Sequence, residues 1–178
     1  MHTHLDALLE DCGSEVKDHS QRTGKLIRAL LTEVGRGDLV DFWHIESSGP
    51  CDYHDIGKYK KEQRPLDHCQ NGAALFEKEY DRALDAKARV FYSIARDLCL
   101  YHHEHWDGTG GPERLYGNNI PIIARAGAVA DAWDHLSTRR PALSQAEKLE
   151  IIRKNAGTWY DPGLTAALER LFPARPVE

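Results

Sequence analysis

Paired cysteines, a surplus of basic residues, strand-like alternation and long apolar runs are all missing from this chain. Each absence removes a class of protein. The four cysteines, Cys12, Cys51, Cys69 and Cys99, lie far apart and form no C-x-x-C pair. Neither a zinc ribbon nor a disulfide scaffold is therefore expected. The formal net charge is −5, which supplies no general attraction for DNA. An anionic ligand must be drawn in by local charge or by metal ions. No apolar run approaches the roughly 18 residues of a membrane helix. The best stretch, IPIIARAGAVADAW, is broken by Arg125 and Asp131. The opening MHTHLDALLED has no basic region followed by an apolar one, so it does not read as a signal peptide. The expectation is a cytoplasmic protein acting on neither DNA nor a membrane.

What is present is helical punctuation. The 178 residues, 41% hydrophobic and 29% charged, fit one ordinary globular domain over 1–178. Ser14 can cap a helix whose inward face runs Val16, His19, Thr23, Leu26, Ile27, Leu30 and Val34, with Gly35 as its stop. A shorter helix is expected near 38–46, ended by Ser47-Ser48-Gly49-Pro50. Residues 68–79 and 82–105 read as two more helices, and Gly108–Gly111 as a loop. Ile122–Leu136, 143–155 with a capping Ser144, and a last helix starting at Pro162 complete the pattern. No repeat or linker interrupts it. The fold class is all-α, a single-domain helical bundle.

The chemistry lies in the histidines, ten in all. In HHEHWDGTGGP, residues 102–112, two adjacent histidines precede a glycine-rich turn. Successive helical side chains point about 100° apart, so both cannot be buried for one packing reason. Both can reach one polar centre at a helix end. Further candidates sit where helices would otherwise be apolar: Glu15 and His19 at i, i+4, His54-Asp55 within HDIGK, His68, and Asp131 within AVADAW. Imidazole with carboxylate suits iron, manganese or zinc, and the lack of a cysteine cluster argues against a thiolate site. An aspartate can bridge two metals about 3.5–4 Å apart, and such a pair clamps phosphate and acidifies water toward a pKa of about 7. Taken singly, each residue also has an ordinary role. Glu15–His19 can be a surface pair, and Asp131 can cap a helix or pair with Arg125. Their joint occurrence in separate segments is what points to a metal centre.

The order H…HD…H…HH…D resembles the HD superfamily of metal-dependent phosphohydrolases. The longer signatures resemble its HD-GYP branch, bacterial phosphodiesterases of cyclic di-GMP. HDIGK at 54–58 matches the branch's central motif, and HHEHWDGTGGP is similar to HHExxDGxGYP. NNIPIIARAGAVADAWDHLSTRRP (118–141) and AGTWYDPGL (156–164) resemble the segments that follow. The similarity runs from about Glu15 to Phe172. The resemblance implies an HD-type bundle with a metal centre in its core, a binuclear or trinuclear site of iron or manganese. Its implied ligands are His19, His54, Asp55 as the bridging carboxylate, His68, His102, His103 and Asp131. Glu15 matches a glutamate that allows a third metal. Asp134 is the rival to Asp131, which is preferred for its Ala-Asp dipeptide. Lys58 would contact the scissile phosphate, and Arg140, nine residues after Asp131, would bind substrate phosphate. Asp107 would order the turn or support a histidine. The implied reaction is hydrolysis of a cyclic dinucleotide to its linear form or GMP. Other nucleotides are the alternative substrates, and a weakly active metal- or dinucleotide-binding module is a further alternative. A diguanylate cyclase or regulator domain is the implied partner of the GYP loop.

The chain also departs from that pattern. The GYP tripeptide is Gly110-Gly111-Pro112, without its tyrosine. Ala142 and Leu143 follow Arg140-Pro141, where an aromatic and a basic residue are usual. The segment from Lys58 to His68 is short, Gly49-Pro50 interrupts the approach to HDIGK, and YKKEQR (59–64) brings Lys60, Lys61 and Arg64 near the site, either as a solvated basic turn or as a replacement phosphate clamp. These differences bear on substrate fit, not on the ligands. His2 and His4 are expected in a mobile terminus, His44 and His105 outside the site, Trp106 and Trp133 as core anchors. His135 is left open.

Overall fold

The structure, a computed structural model, describes residues 3–40, 49–60, 64 and 66–173. Among them run seven α-helices: α1 (Thr3–Asp11), α2 (Ser14–Glu33), α3 (Asp67–Arg82), α4 (Ala86–Tyr101), α5 (Ile122–Arg139), α6 (Gln145–Lys154) and α7 (Pro162–Leu171). Short 3-10 turns lie at Gly37–Leu39, Pro50–Tyr53, Ile56–Tyr59 and Gly117–Asn119. No strand occurs among the described residues, only an isolated bridge between Ala156 and Tyr160. The all-α expectation therefore holds.

Two apolar clusters organise the bundle. One joins Ile27, Leu30 and Leu31 of α2 to Ala126, Val129 and Ala130 of α5, with Ile152 of α6 and Leu168 of α7. The other joins Leu5 and Leu9 of α1 to Phe76 of α3 and Phe91 of α4, around Tyr53 and Ile56. Helix α4 serves both. Ile94 and Leu98 face the first cluster, while Phe91, Ala95 and Cys99 face the second. The Pro50–Tyr53 turn does the same with Cys51 and Tyr53. A helix with apolar residues on two faces is one that is sandwiched, and its end is carried into the interior.

Several element boundaries differ from expectation. Helix α2 starts at Ser14 itself, with Gly13 as the residue before it. The stretch 82–105 is shortened at both ends. Asp85, in extended conformation, accepts a hydrogen bond from Ala88 N and starts α4 there. The helix then ends at Tyr101, with His102 as its cap. The Ser144 cap is present and forms a reciprocal capping box with Glu147. Of the helix expected near 38–46, the described part is only the Gly37–Leu39 turn, and 41–48 lie outside the described residues. His4 is not in a loose terminus: it lies on α1, 3.6 Å from Glu79 of α3. The apolar pair Leu5 and Leu9 docks that helix.

Candidate metal centre

Five segments bring their polar side chains to one place. His19 comes from α2, His54-Asp55 from the junction of two 3-10 turns, His68 from the first turn of α3, His102-His103 from the end of α4, and Asp131 from α5. Asp55 sits at the middle. Its Oδ2 lies 3.7 Å from His19 Nε2 and 3.5 Å from His54 Nε2. Its Oδ1 lies 3.5 Å from His68 Nε2 and 4.0 Å from His102 Nε2. One carboxylate thus turns an oxygen to each of two histidine groups. His103 closes the second group, its ring 5.1 Å from His68 and 4.2 Å from His102. Asp131 closes the first, its Oδ1 2.9 Å from His19 Nε2.

Asp131 and Asp134 face different sides of His19. Asp134 lies on the outer side of His19, 2.7 Å from Nδ1, and is itself held by Arg22 at 2.7 and 3.0 Å. Asp131 faces the inner nitrogen. Three residues apart on α5, the two carboxylates grip opposite sides of one imidazole. Arg125 does not pair with Asp131; it bonds Asp161, the N-cap of α7.

The donor set fits a divalent cation. Burial lowers the pKa of His54, His68, His102 and His103, which keeps these imidazoles neutral. His102 turns Nδ1 to the carbonyls of Leu98 and Cys99, both at 3.0 Å. Its Nε2 is buried with no hydrogen-bond partner among the described residues, and so is His54 Nδ1. Burial alone would raise the pKa of Asp55, but His54, Lys58 and His102 pull it below the usual range. Burial likewise opposes ionisation of Asp131, and its bonds to His135 and His19 prevail. Neutral imidazoles, ionised carboxylates and an unsatisfied buried nitrogen are what a cation requires.

His19 is different. Burial would lower its pKa, yet Asp131 and Asp134 raise it to about 9. In the metal-free protein this imidazole is therefore a cation at neutral pH, standing where a metal would. A metal held by His19 would displace its proton, so apparent affinity is expected to rise about tenfold per pH unit from neutrality to about pH 9, then level off. Because the folded pKa lies above the ordinary one, the pairing stabilises the metal-free fold below pH 6.5 and is lost as pH rises through about 9. Metal titrations at a series of pH values, with thermal unfolding of the metal-free protein, check both slopes.

Two cavities open over the centre. One, about 440 Å³, is lined by His102, His103, Asp131, Arg140 and Tyr160 among others. The second, about 280 Å³, is lined by Glu15, His19, Asp55 and Lys58 among others. His135 and Arg139 line both. Lys58 Nζ is partly exposed and bonds Asp55 Oδ2. Glu15 is exposed on the rim, one turn before His19, and outside the close His/Asp groups. Lys61 lies outside the described residues, as do His2 and His44. Of its neighbours, Lys60 reaches Asn71 Oδ1 at 3.1 Å, and Arg64 lies 3.9 Å from Asp67.

The glycine loop is built from below. Glu104, 2% exposed, accepts hydrogen bonds from Glu113 N at 2.6 Å and Leu115 N at 3.1 Å. Asp107 does not touch a centre histidine; it accepts from the backbone and hydroxyl of Thr109 and orders the turn. A Cβ on Gly110 would stand 2.5 Å from His103 O and 2.3 Å from His105 N, so the loop passes too close to the histidine pair for any side chain. A Cβ on Gly111 would meet only Leu66 Cδ1, at 3.1 Å. Glu104→Ala takes the acceptor from two part-buried loop N–H groups and is expected to cost about 1–2 kcal/mol, read by denaturant unfolding.

Some neighbours of the centre were not foreseen. His135 stacks flat on His19, centroids 4.8 Å apart, with Nδ1 3.4 Å from Asp131 Oδ2. Its i, i+4 spacing from Asp131 is visible in the sequence. His105, expected outside, lines the larger cavity and stacks on Trp159 at 5.2 Å. The reason is a backbone pairing of Trp106 with Trp159 and of Asp107 with Thr158, which folds residues 158–160 against the loop. Trp106 lies under the Arg125 guanidinium and Trp133 against Phe172, both as anchors. Cys69, set aside by spacing alone, groups with His68, His102 and His103.

Fold and site define a helical protein whose core gathers histidine and aspartate groups that could hold a divalent metal. The comparisons agree. The sequence profile described as the HD domain matches residues 85–164. A cyclic di-GMP phosphodiesterase of Vibrio cholerae is 41% identical, covering 92% of this chain and 37% of that protein. A cyclic di-GMP phosphodiesterase of Thermotoga maritima is 29% identical over 94% of this chain and 47% of its own. A 3'3'-cGAMP-specific phosphodiesterase of Vibrio cholerae is 33% identical over 90% and 36%. The crystal structure of a cyclic GMP-AMP specific phosphodiesterase of that organism superposes with a TM-score of 0.53 at 16% identity, over 94% of this chain and 48% of that one. Residues 85–164 match the HD domain, and the relatives named as cyclic dinucleotide phosphodiesterases support a member of its HD-GYP branch. The chain spans roughly two fifths of the length of the curated relatives it matches. No described helix is long and apolar enough to cross a membrane.

Proposed function

We propose that this chain is a metal-dependent phosphodiesterase that opens a cyclic dinucleotide, cyclic di-GMP first, to the linear dinucleotide or on to GMP. One observation carries the reading: Asp55 turns one oxygen to His19 and His54 and the other to His68 and His102. That is the arrangement of a carboxylate shared by two cations. His19, His54, Asp55 and Asp131 would hold one ion, and His68, His102, His103 and Asp55 the other, with Glu15 at the rim for a third. The nitrogen- and oxygen-rich set suits iron or manganese. Bound there, two such ions supply Lewis acidity and a water acidic enough to act near neutral pH.

The protein's own groups do the positioning. Lys58 Nζ, on Asp55 Oδ2 and partly exposed, can turn to a non-bridging phosphate oxygen and offset the charge that grows on it. Arg139 and Arg140 bring positive charge to the wall of the larger cavity, so a dinucleotide's two phosphates meet cations along one groove. Gly110 lets the loop close over His103 without a side chain, and Gly111 leaves open the space a tyrosine would fill. Relatives named for cyclic di-GMP and for 3'3'-cGAMP support both as candidate substrates.

The test is anaerobic incubation of iron- or manganese-loaded protein with cyclic di-GMP, 3'3'-cGAMP and a nucleotide panel, with products separated over time. Metal-dependent opening of a cyclic dinucleotide is the expected result. Bound metal with no cleavage of either dinucleotide, and turnover of another phosphoester instead, would overturn the assignment.

A further inference from the structure

We infer that Cys69 is a ligand of the centre, and that its thiolate makes the His68–His102–His103 half a soft-metal site that favours zinc or cobalt over manganese. The inference rests on the reading of those three histidines as ligands and on nothing else in the proposed reaction.

The geometry supports it directly. His68, Cys69, His102 and His103 each offer a donor atom, and the four atoms lie within 4.8 Å of one another. Cys69 Sγ is 3.5 Å from His68 Nε2. Around a tetrahedral zinc, nitrogens at about 2.0–2.1 Å and a sulfur at about 2.3 Å stand about 3.3–3.6 Å apart. The His68–Cys69 pair already has that spacing, and the other donors, within 4.8 Å of one another, must draw in by up to about 1 Å. His102 Nε2 supplies a second, independent sign. It is buried, has no hydrogen-bond partner among the described residues and points inward, 4.0 Å from Asp55 Oδ1. A buried nitrogen in that state asks for a cation.

The other thiols are differently engaged. Cys99 Sγ donates to Tyr53 O at 3.1 Å, Cys12 Sγ lies against Leu8 O and Ile56 O, and Cys51 is packed in the first apolar cluster. Cys69 is fully buried, with its thiol against His68 Nε2 at 3.5 Å. A coordinating thiol gives its proton to solvent as the metal enters. The result is a set of three imidazole nitrogens and one sulfur beside Asp55 Oδ1 in one half of the centre, and a nitrogen–oxygen set of His19, His54, Asp131 and Asp55 Oδ2 in the other. Thiolate selects zinc and other soft ions, whereas carboxylate suits manganese. The two halves then differ in preference, and a mixed-metal centre is the consequence.

The experiment is cobalt loading of the full chain, read in the near ultraviolet for thiolate-to-cobalt charge transfer, with bound cobalt measured by elemental analysis. The band is expected in the wild type and in Cys12→Ser and Cys51→Ser, and absent from both Cys69→Ser and Cys69→Ala while circular dichroism stays unchanged. Zinc Kd is expected to rise at least about tenfold in Cys69→Ser, with manganese loading changed less than about threefold. Bound cobalt without a band in the wild type overturns the inference and leaves the histidine centre standing. A band that survives in both Cys69 variants also overturns it. Failure of the wild type to bind cobalt at all removes the metal-centre reading together with this one.

Discussion

Asp55→Ala is expected to lose essentially all phosphodiesterase activity, more than about 10²-fold, and most of its metal. Outer partners of metal ligands typically contribute about 10–100-fold. Asp55 is more central than that, since its two oxygens face four imidazoles at 3.5–4.0 Å. Its loss also leaves Lys58 without its carboxylate partner and puts an unpaired ammonium beside the cation site. That charge repels the incoming metal. Asp55→Asn keeps the shape and one oxygen but not the charge, so it should recover folding and little metal. Metal content per chain and initial rates on cyclic di-GMP are the two measurements. A variant with full metal and full activity would remove Asp55 from the centre.

Gly57→Ala is expected to destabilise the protein by about 4 kcal/mol or to prevent folding. A Cβ on Gly57 would stand 1.9 Å from His68 O and 2.6 Å from Gly72 N. Both are backbone atoms of α3, so no side-chain rotation relieves the clash. The Ile56–Tyr59 turn and α3 must separate, and His68 moves with α3. Gly24 gives the contrast. There a Cβ would meet the Asp52 carboxylate, at 1.8 Å from Oδ1. That contact is with a side chain, although a buried one tethered to Arg28. Gly24→Ala should therefore cost less than Gly57→Ala. Denaturant unfolding of the two variants ranks them, and equal costs would contradict this account.

The chain's local patterns were readable because their causes are local. Helix α2 follows from the spacing of Thr23, Ile27 and Leu30, and α6 from Ser144 and Glu147 acting on each other three residues apart. The residue types of a nitrogen–oxygen metal centre were readable for the same reason. HDIGK and the histidine pair place imidazole and carboxylate close together without any knowledge of the fold. Boundaries were less legible where a single contact decides them, as when Asp85 captures Ala88 N and delays α4.

Only the tertiary structure decided which atoms face one another. Asp131 and Asp134 are both acids on one helix of small residues, and the Ala-Asp dipeptide that favours Asp131 says nothing of which one meets the inner nitrogen of His19. The rotation of α5 against α2 decides it. Cys69 sits alone in the sequence, far from the next cysteine, yet the end of α4 carries His102 and His103 up to it. His105 reaches the cavity because residues 158–160, distant along the chain, pair with the loop. Periodicity and capping depend on neighbours along the chain, so sequence alone determines the helices and the kind of chemistry they carry. A metal centre depends on groups brought together across the chain, and that meeting is set by how the two apolar clusters pack around α4.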